Sequence, residues 1–114
     1  IINTGSIVGL VGLDILIPYT ATKAAAHAFT KSLALHLGDQ NIRVNCVVPG
    51  PVWTPNIPAT MPITEVKNFG HEVALKRPGQ PEELAPVYVF LASDDASFVT
   101  GALYEVTGGR LSPG

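Results

Sequence analysis

Strand-forming and helix-forming stretches alternate along the whole chain, and that alternation limits the fold more than any single residue does. Ile1 and Ile2 lead through Asn3-Thr4-Gly5-Ser6 out of a first strand, into a loop that carries Gly5, Gly9 and Gly12 and runs to Pro18. From Tyr19 to Leu37 the chain is rich in alanine and leucine, both strong helix formers, with Pro18 at the entry and Gly38 placed to end the helix. Ile42-Arg43-Val44-Asn45-Cys46-Val47-Val48 is rich in β-branched residues and stops at Pro49-Gly50, so it reads as a second strand. Prolines at 49, 51, 55, 58 and 62 then predict a long loop, with a short helix over 64–72. A second full helix spans Glu82 to Ala92, with Pro81 near its first turn and Pro86 within a turn or so of its start. Glu82 and Glu83 are favourable at that N-terminus. Leu103 to Thr107 is the last strand, ending at Gly108-Gly109.

This order predicts an α/β architecture: three parallel strands joined by right-handed crossovers. Two such crossovers advancing in one direction put both helices on the same face of the sheet. The other face is then bare, although parallel sheets are normally covered on both sides. The expected fold is half of something larger.

Composition points the same way. The length of 114 residues suits one domain, but only 14% of them are charged, against about 25% in typical globular chains. Such a charge-poor surface implies that part of it is covered. A formal charge of −2 with no Lys/Arg run removes the electrostatic footprint needed for a nucleic-acid partner. The longest apolar stretch, Ile7 to Leu13, contains two glycines and is far short of the ~20 residues that span a bilayer. No secretory leader is legible at the start. The single cysteine, Cys46, excludes an internal disulfide framework and a cysteine-based zinc site, so a reducing, cytoplasmic setting is expected. The chain opens on Ile-Ile-Asn-Thr without a Met, already inside a strand, which leaves its completeness open.

Tyr19 and Lys23 stand four residues apart at the start of the first long helix, so their side chains share a face. A free phenol has a pKa near ~10 and exchanges protons near neutrality only with electrostatic help. A neighbouring ammonium and a helix N-terminus both supply such help. The pair therefore suits general acid/base work, although Tyr-x-x-x-Lys alone is common on surface helices. Ser6 lies thirteen residues before Tyr19, at the end of a strand. In an open parallel sheet, ligands bind outside the carboxyl ends of the strands, where Ser6, the Tyr19 helix start and the loop leaving at Pro49 all fall.

With Asn3-Thr4-Gly5-Ser6, Tyr19-x-x-x-Lys23 at this spacing, Asn45-Cys46-Val47-Val48-Pro49-Gly50-Pro51-Val52-Trp53-Thr54 and the Gly101…Gly108-Gly109 ending, the sequence resembles the short-chain dehydrogenase/reductases over essentially its whole length. Arg77 to Ala85 and Leu91 to Asp95 are similar to a bacterial branch of glucose-dehydrogenase-like and general-stress reductases. The resemblance implies a Rossmann-like doubly wound parallel sheet, of which residues 1–114 are the C-terminal part of one NAD(P)-binding domain. It implies an oxidoreductase that uses NADP or NAD and a small alcohol, aldehyde or ketone substrate. Tyr19 would be the general acid/base, Lys23 would hold the nicotinamide ribose and ease proton loss from Tyr19, and Ser6 would bind the substrate oxygen. Pro49, Gly50, Val52 and Thr54 would hold the nicotinamide end, and residues 51–72 would form the substrate loop, with Trp53 as a candidate wall. A homo-oligomer, dimer or tetramer, is also implied.

The family's phosphate-binding T-G-x-x-x-G-x-G turn, its NAD/NADP-selecting residue and its N-N-A-G segment are all missing from these residues. The chain therefore looks like the C-terminal half of a longer enzyme, weak or inactive alone. A non-catalytic assembly or regulatory module is the alternative from another class, and an epimerase or dehydratase the alternative among enzymes. His27 and His36 lie nine apart, which is not the spacing of a helical metal pair, and His71 has only Glu72 beside it, so no metal is expected. Cys46 reads as a small buried hydrophobe.

Overall fold

The computed structural model describes residues 1–110. Three parallel strands, β1 (Ile2–Thr4), β2 (Asn45–Pro49) and β3 (Leu103–Val106), form one sheet in the order β1-β2-β3. A short turn of helix, α1 (Val8–Val11), and the long helix α2 (Ile17–Leu37) connect β1 to β2. Two further short helices, α3 (Asn56–Thr60) and α4 (Ile63–Val66), and then α5 (Pro81–Ala92) connect β2 to β3. The predicted α/β order and the parallel pairing are both present.

The centre of the molecule is β2. Cys46, Val47 and Val48 are all fully buried, as a strand covered on both faces requires. The strand starts later than β-propensity suggests, because Ile42 to Val44 lie outside it and the ladder opens where the Asn45 N–H reaches the Ile1 carbonyl at 3.0 Å. Asn45 is itself buried, and its amide closes a loop: Nδ2 donates to the Val99 carbonyl at 2.8 Å and Oδ1 accepts from the Ala102 N–H at 3.0 Å.

The register shows which helix covers which face. Asn3, Cys46 and Leu103 lie side by side across the sheet, as do Thr4, Val47 and Tyr104. Adjacent residues of a strand point to opposite faces. Asn3 Nδ2 donates to Thr30 Oγ1 of α2 at 3.0 Å, whereas Thr4 Oγ1 lies 2.6 Å from the Tyr88 hydroxyl of α5. Tyr104, in the Thr4 row, packs edge-on against Phe90 of α5. Helices α2 and α5 therefore cover opposite faces, not the same one, and the two crossovers have opposite hands. The right-handed rule reflects a helix folding straight back onto its own sheet. Here the connection between Pro49 and Pro81 carries two short helices first, and is long enough to take the chain over the strand ends to the other face.

Local expectations shift in three further places. The proline-dense loop holds helical turns, since Pro58 falls early enough in α3 for its missing N–H to be harmless. The helix expected over 64–72 is the single turn Ile63–Val66, and Gly70 then turns with φ 81° against Pro78. Pro86 lies inside α5, beyond its first turn, so the helix forgoes the hydrogen bond that this N–H would make.

Apolar side chains also remain outside. Ile17, Phe29 and Leu35 on α2, Val89 on α5 and Phe98 are exposed, in keeping with the charge-poor composition. Among the described residues, no helix is long and apolar enough to cross a membrane.

Candidate active site

The carboxyl ends of the strands gather most of the residues singled out in the sequence. At the exit of β1, the Gly5 N–H donates to the Val47 carbonyl at 2.8 Å and the Ile7 N–H to the Pro49 carbonyl at 2.9 Å, which moors the Ser6 loop to the end of β2. Ser6 is buried, and its Oγ accepts the Val8 N–H at 3.3 Å at the start of α1. Its own N–H donates to Nε2 of His27 at 3.2 Å.

Tyr19 sits in the first turn of α2, where Pro18 occupies an opening position that needs no N–H. The residue is 43% exposed, open enough to meet a ligand. Lys23, one turn on, places its ammonium 5.6 Å from the centroid of that ring and donates to the Thr4 carbonyl at 3.2 Å. The spacing of four thus does put both side chains on one face, and that face is turned to the end of β1. Among the described residues no hydrogen bond joins Ser6 to Tyr19; the two are related through α2 instead.

The segment after β2 forms the neighbouring wall. Gly50 donates its N–H to the Val106 carbonyl at 2.9 Å, and a Cβ built on it would stand 2.7 Å from Thr107 Cα, so only glycine fits. Val52 pairs with Gly79 in a short parallel bridge. The bonds of that bridge run from the Gly79 N–H to the Pro51 carbonyl and from the Trp53 N–H to the Gly79 carbonyl, at 2.9 and 2.8 Å. Neither uses the N–H or the carbonyl of Val52. Trp53 packs against Phe69 with ring centroids 6.3 Å apart, and the Thr54 carbonyl accepts the Ile57 N–H as α3 begins. A cavity of about 200 Å³ lies beside this wall, bounded by Val52, Arg77, Glu83, Val106 and Thr107. A wider, open depression beside α1, lined by Val11, Leu13, Ile17 and Thr20, includes none of Ser6, Tyr19 or Lys23.

Burial and hydrogen-bonded partners set the charge around the site. Burial, with the Lys23 ammonium adding to it, pushes the pKa of His27 below its ordinary value. Burial likewise pushes the Cys46 thiol up, consistent with a small hydrophobe in the core. At the head of α5, Arg77 grips Glu83 with two bonds of 2.9 and 2.8 Å, while Glu83 Oε2 also accepts the Gln80 N–H at 2.7 Å. These partners hold the Glu83 carboxyl down at about 2.

Sequence reasoning missed Thr4, Tyr88 and the contact of His27 with Ser6. The first two had no signal, since their meeting depends on which face α5 covers. His27 did have one: it is one turn past Lys23 and two past Tyr19, on the same stripe of α2.

A three-stranded parallel sheet with a tyrosine and a lysine on the helix that faces its carboxyl rim is one part of a doubly wound α/β fold. A family model described as enoyl-(acyl carrier protein) reductase matches residues 1–110, and the chain belongs to this short-chain dehydrogenase/reductase family. It is 53% identical over 114 residues to a glucose and ribitol dehydrogenase homolog of rice, spanning 100% of this chain and 38% of that protein. It is 53% identical over 111 residues to general stress protein 39 of Bacillus subtilis, spanning 97% of this chain and 39% of that one. Among solved structures, a 3-oxoacyl-[acyl-carrier protein] reductase from Brucella melitensis superposes with a TM-score of 0.84 at 39% identity, covering 95% of this chain and 40% of its own. The chain thus spans about two fifths of the length of the relatives it matches.

Proposed function

We propose that this chain carries the substrate-side half of an oxidoreductase that moves a hydride between NAD(P)(H) and an alcohol or carbonyl carbon. The observation that carries the reading is Lys23, whose ammonium stands between the Tyr19 ring and the Thr4 carbonyl at the strand rim. An Arabidopsis relative, 53% identical over 112 residues, is named an NADPH-dependent aldehyde reductase, which supports both the cofactor and the substrate class. Residues 1–114 are then the C-terminal part of one NAD(P)-binding domain, with residues 51–72 as the substrate loop.

The residues present fit a nicotinamide cofactor. The main-chain N–H and carbonyl of Val52, which neither bond of the bridge uses, match the acceptor and donor of a carboxamide, and Gly50, closed onto Thr107, holds this segment against the end of β3. Pro49, Gly50, Val52 and Thr54 would hold that end, and Lys23 the ribose hydroxyls. When bound, the cofactor supplies or accepts the hydride, a proton and two electrons on one carbon.

In the reducing direction Tyr19 gives its phenolic proton to the substrate oxygen as that oxygen gains charge. The phenolate left behind is stabilised by Lys23 and by the helix N-terminus. Ser6 donates its hydroxyl to the same oxygen, an oxyanion-type role that positions the carbonyl and favours the charged transition state. The oxidising direction runs the same transfers backwards. Trp53, held by Phe69, would form an apolar wall of the substrate pocket. The exposed apolar residues of α2 and α5 support a homo-oligomer, a dimer or tetramer, and the free buried thiol of Cys46 suits the cytoplasm.

The test is Tyr19→Phe in the enzyme that carries this chain together with a nucleotide-binding half. Turnover should vanish while NADPH still binds, and retained turnover would overturn the role of Tyr19. The 114-residue chain alone should bind NADPH weakly in a fluorescence titration, since the phosphate-binding turn is not within it.

A further inference from the structure

We propose that His27 is a positioning residue for Ser6: as a neutral imidazole it accepts the Ser6 main-chain N–H and so sets where the Ser6 hydroxyl stands. The proposal rests on the reading of Ser6 as a substrate-binding group.

Helix α2 grips the exit of β1 at two successive turns. Lys23 donates to the Thr4 carbonyl at 3.2 Å, and His27 accepts the Ser6 N–H at 3.2 Å. Both side chains belong to the stripe that begins with Tyr19. The segment Thr4-Gly5-Ser6 is therefore held against the same helix face that presents the phenol. This double hold fixes Ser6 relative to Tyr19 without any bond between their hydroxyls.

The loop is shaped to admit the imidazole. A Cβ on Gly5 would overlap His27 Nε2, and one on Gly9 would come within 2.7 Å of His27 Cε1. Neither glycine has a positive φ, so these positions call for glycine because of space and not because of backbone conformation. Gly5 is thus accounted for by the imidazole, and Gly9 by the imidazole together with the α2 backbone, whose Ala24 N would lie 2.8 Å from that Cβ.

Chemistry then fixes the state of the ring. Nε2 accepts a hydrogen bond, so it carries the lone pair and the ring proton resides on Nδ1. An imidazolium has N–H at both positions and would confront the Ser6 N–H with another donor. His27 is 5% exposed, and its Nδ1 is buried without a hydrogen-bond partner among the described residues. An apolar residue would fill this place without stranding a polar atom, so what the imidazole contributes is the acceptor for Ser6. The titratable groups facing it are Lys23 from its own helix and Cys46 from β2, whose Sγ borders the same Gly5 position; the Gly5–Gly9 segment brings none. Lys23 opposes protonation and a neutral thiol leaves it unassisted, so the accepting form prevails at neutral pH.

The experiment compares His27→Leu and His27→Gln in the intact enzyme. His27→Leu should lower kcat at least tenfold while the Kd for NADPH stays within twofold of the parent. His27→Gln, whose side-chain carbonyl can take the place of Nε2, should recover most of that loss and should also lack the part of the acid limb of the kcat profile that His27 causes. Nitrogen NMR of the parent protein should show His27 as the Nδ1–H tautomer at neutral pH. An Nε2–H tautomer, or a His27→Leu variant with parental kcat, would overturn the proposal. If Tyr19→Phe stayed active the functional reading would fall, and the tautomer measurement would still decide the assignment of His27.

Discussion

The ammonium of Lys23 lies 3.2 Å from the main-chain oxygen of Thr4, so the lysine beside the candidate acid/base is fastened to the last residue of β1. A long flexible side chain is thereby held in one place before any ligand arrives. That saves part of the ordering cost which binding would otherwise carry.

Replacing Lys23 by Ala should remove both this bond and the charged contact to the cofactor ribose that we propose for it. A hydrogen bond to a charged group contributes about 1.5–3 kcal/mol, which corresponds to a Kd for NADPH raised roughly tenfold to a hundredfold. Fluorescence titration of the intact enzyme measures it directly. An unchanged Kd would show that Lys23 serves only the packing of α2 on β1.

Gly50 and Gly79 form a matched pair for testing the wall after β2. A Cβ at Gly50 meets Thr107 Cα at 2.7 Å, whereas at Gly79 the nearest heavy atom is 3.8 Å away. Gly50→Ala should therefore destabilise by about 1–3 kcal/mol, as overpacking against backbone does, and should weaken nicotinamide binding as well. Gly79→Ala should change stability by less than about 0.5 kcal/mol. Urea unfolding of the two variants separates these outcomes.

Asn45 ties the centre of the sheet to the chain that enters β3. Its Nδ2 and Oδ1 satisfy the Val99 carbonyl and the Ala102 N–H from inside the protein. Asn45→Ala should cost roughly 1–3 kcal/mol for each of these groups left stranded. The urea midpoint should fall with little change in slope, and amide exchange at Ala102 should accelerate.

Stability should fall on both sides of neutrality. The folded pKa of His27 is depressed below 6.5, so between that value and 6.5 the unfolded chain binds a proton that the folded chain does not. Unfolding then gains with every step toward acid, and stability drops below pH 6.5 by at most about 1.4 kcal/mol per unit. The raised thiol of Cys46 works in the opposite sense, with the unfolded chain losing its proton first and stability falling above pH 9. Glu83, held at about 2, keeps its ion pair with Arg77 to far lower pH than an ordinary carboxylate; that contribution is complete above about 4.5 and lost as pH falls through 2. Urea melts from pH 5 to 10 and carboxyl NMR of Glu83 test the three signs separately.

Local composition was enough to place the strand–helix–strand order, the two long helices and the shared face of Tyr19 and Lys23. Helix periodicity and β-branching act within a few residues, and each of those features is decided at that range. The same information put α5 on the wrong face of the sheet. Which face it covers is settled by contacts such as Thr4 with Tyr88, residues separated by most of the chain, after a connection too long for the usual handedness to constrain. His27 shows the same division. Its position on the stripe of α2 is written in the spacing, but its pairing with the Ser6 N–H exists only because two glycines let the β1 loop close against the helix. A sequence determines which residues can share a face, and only packing determines what that face meets.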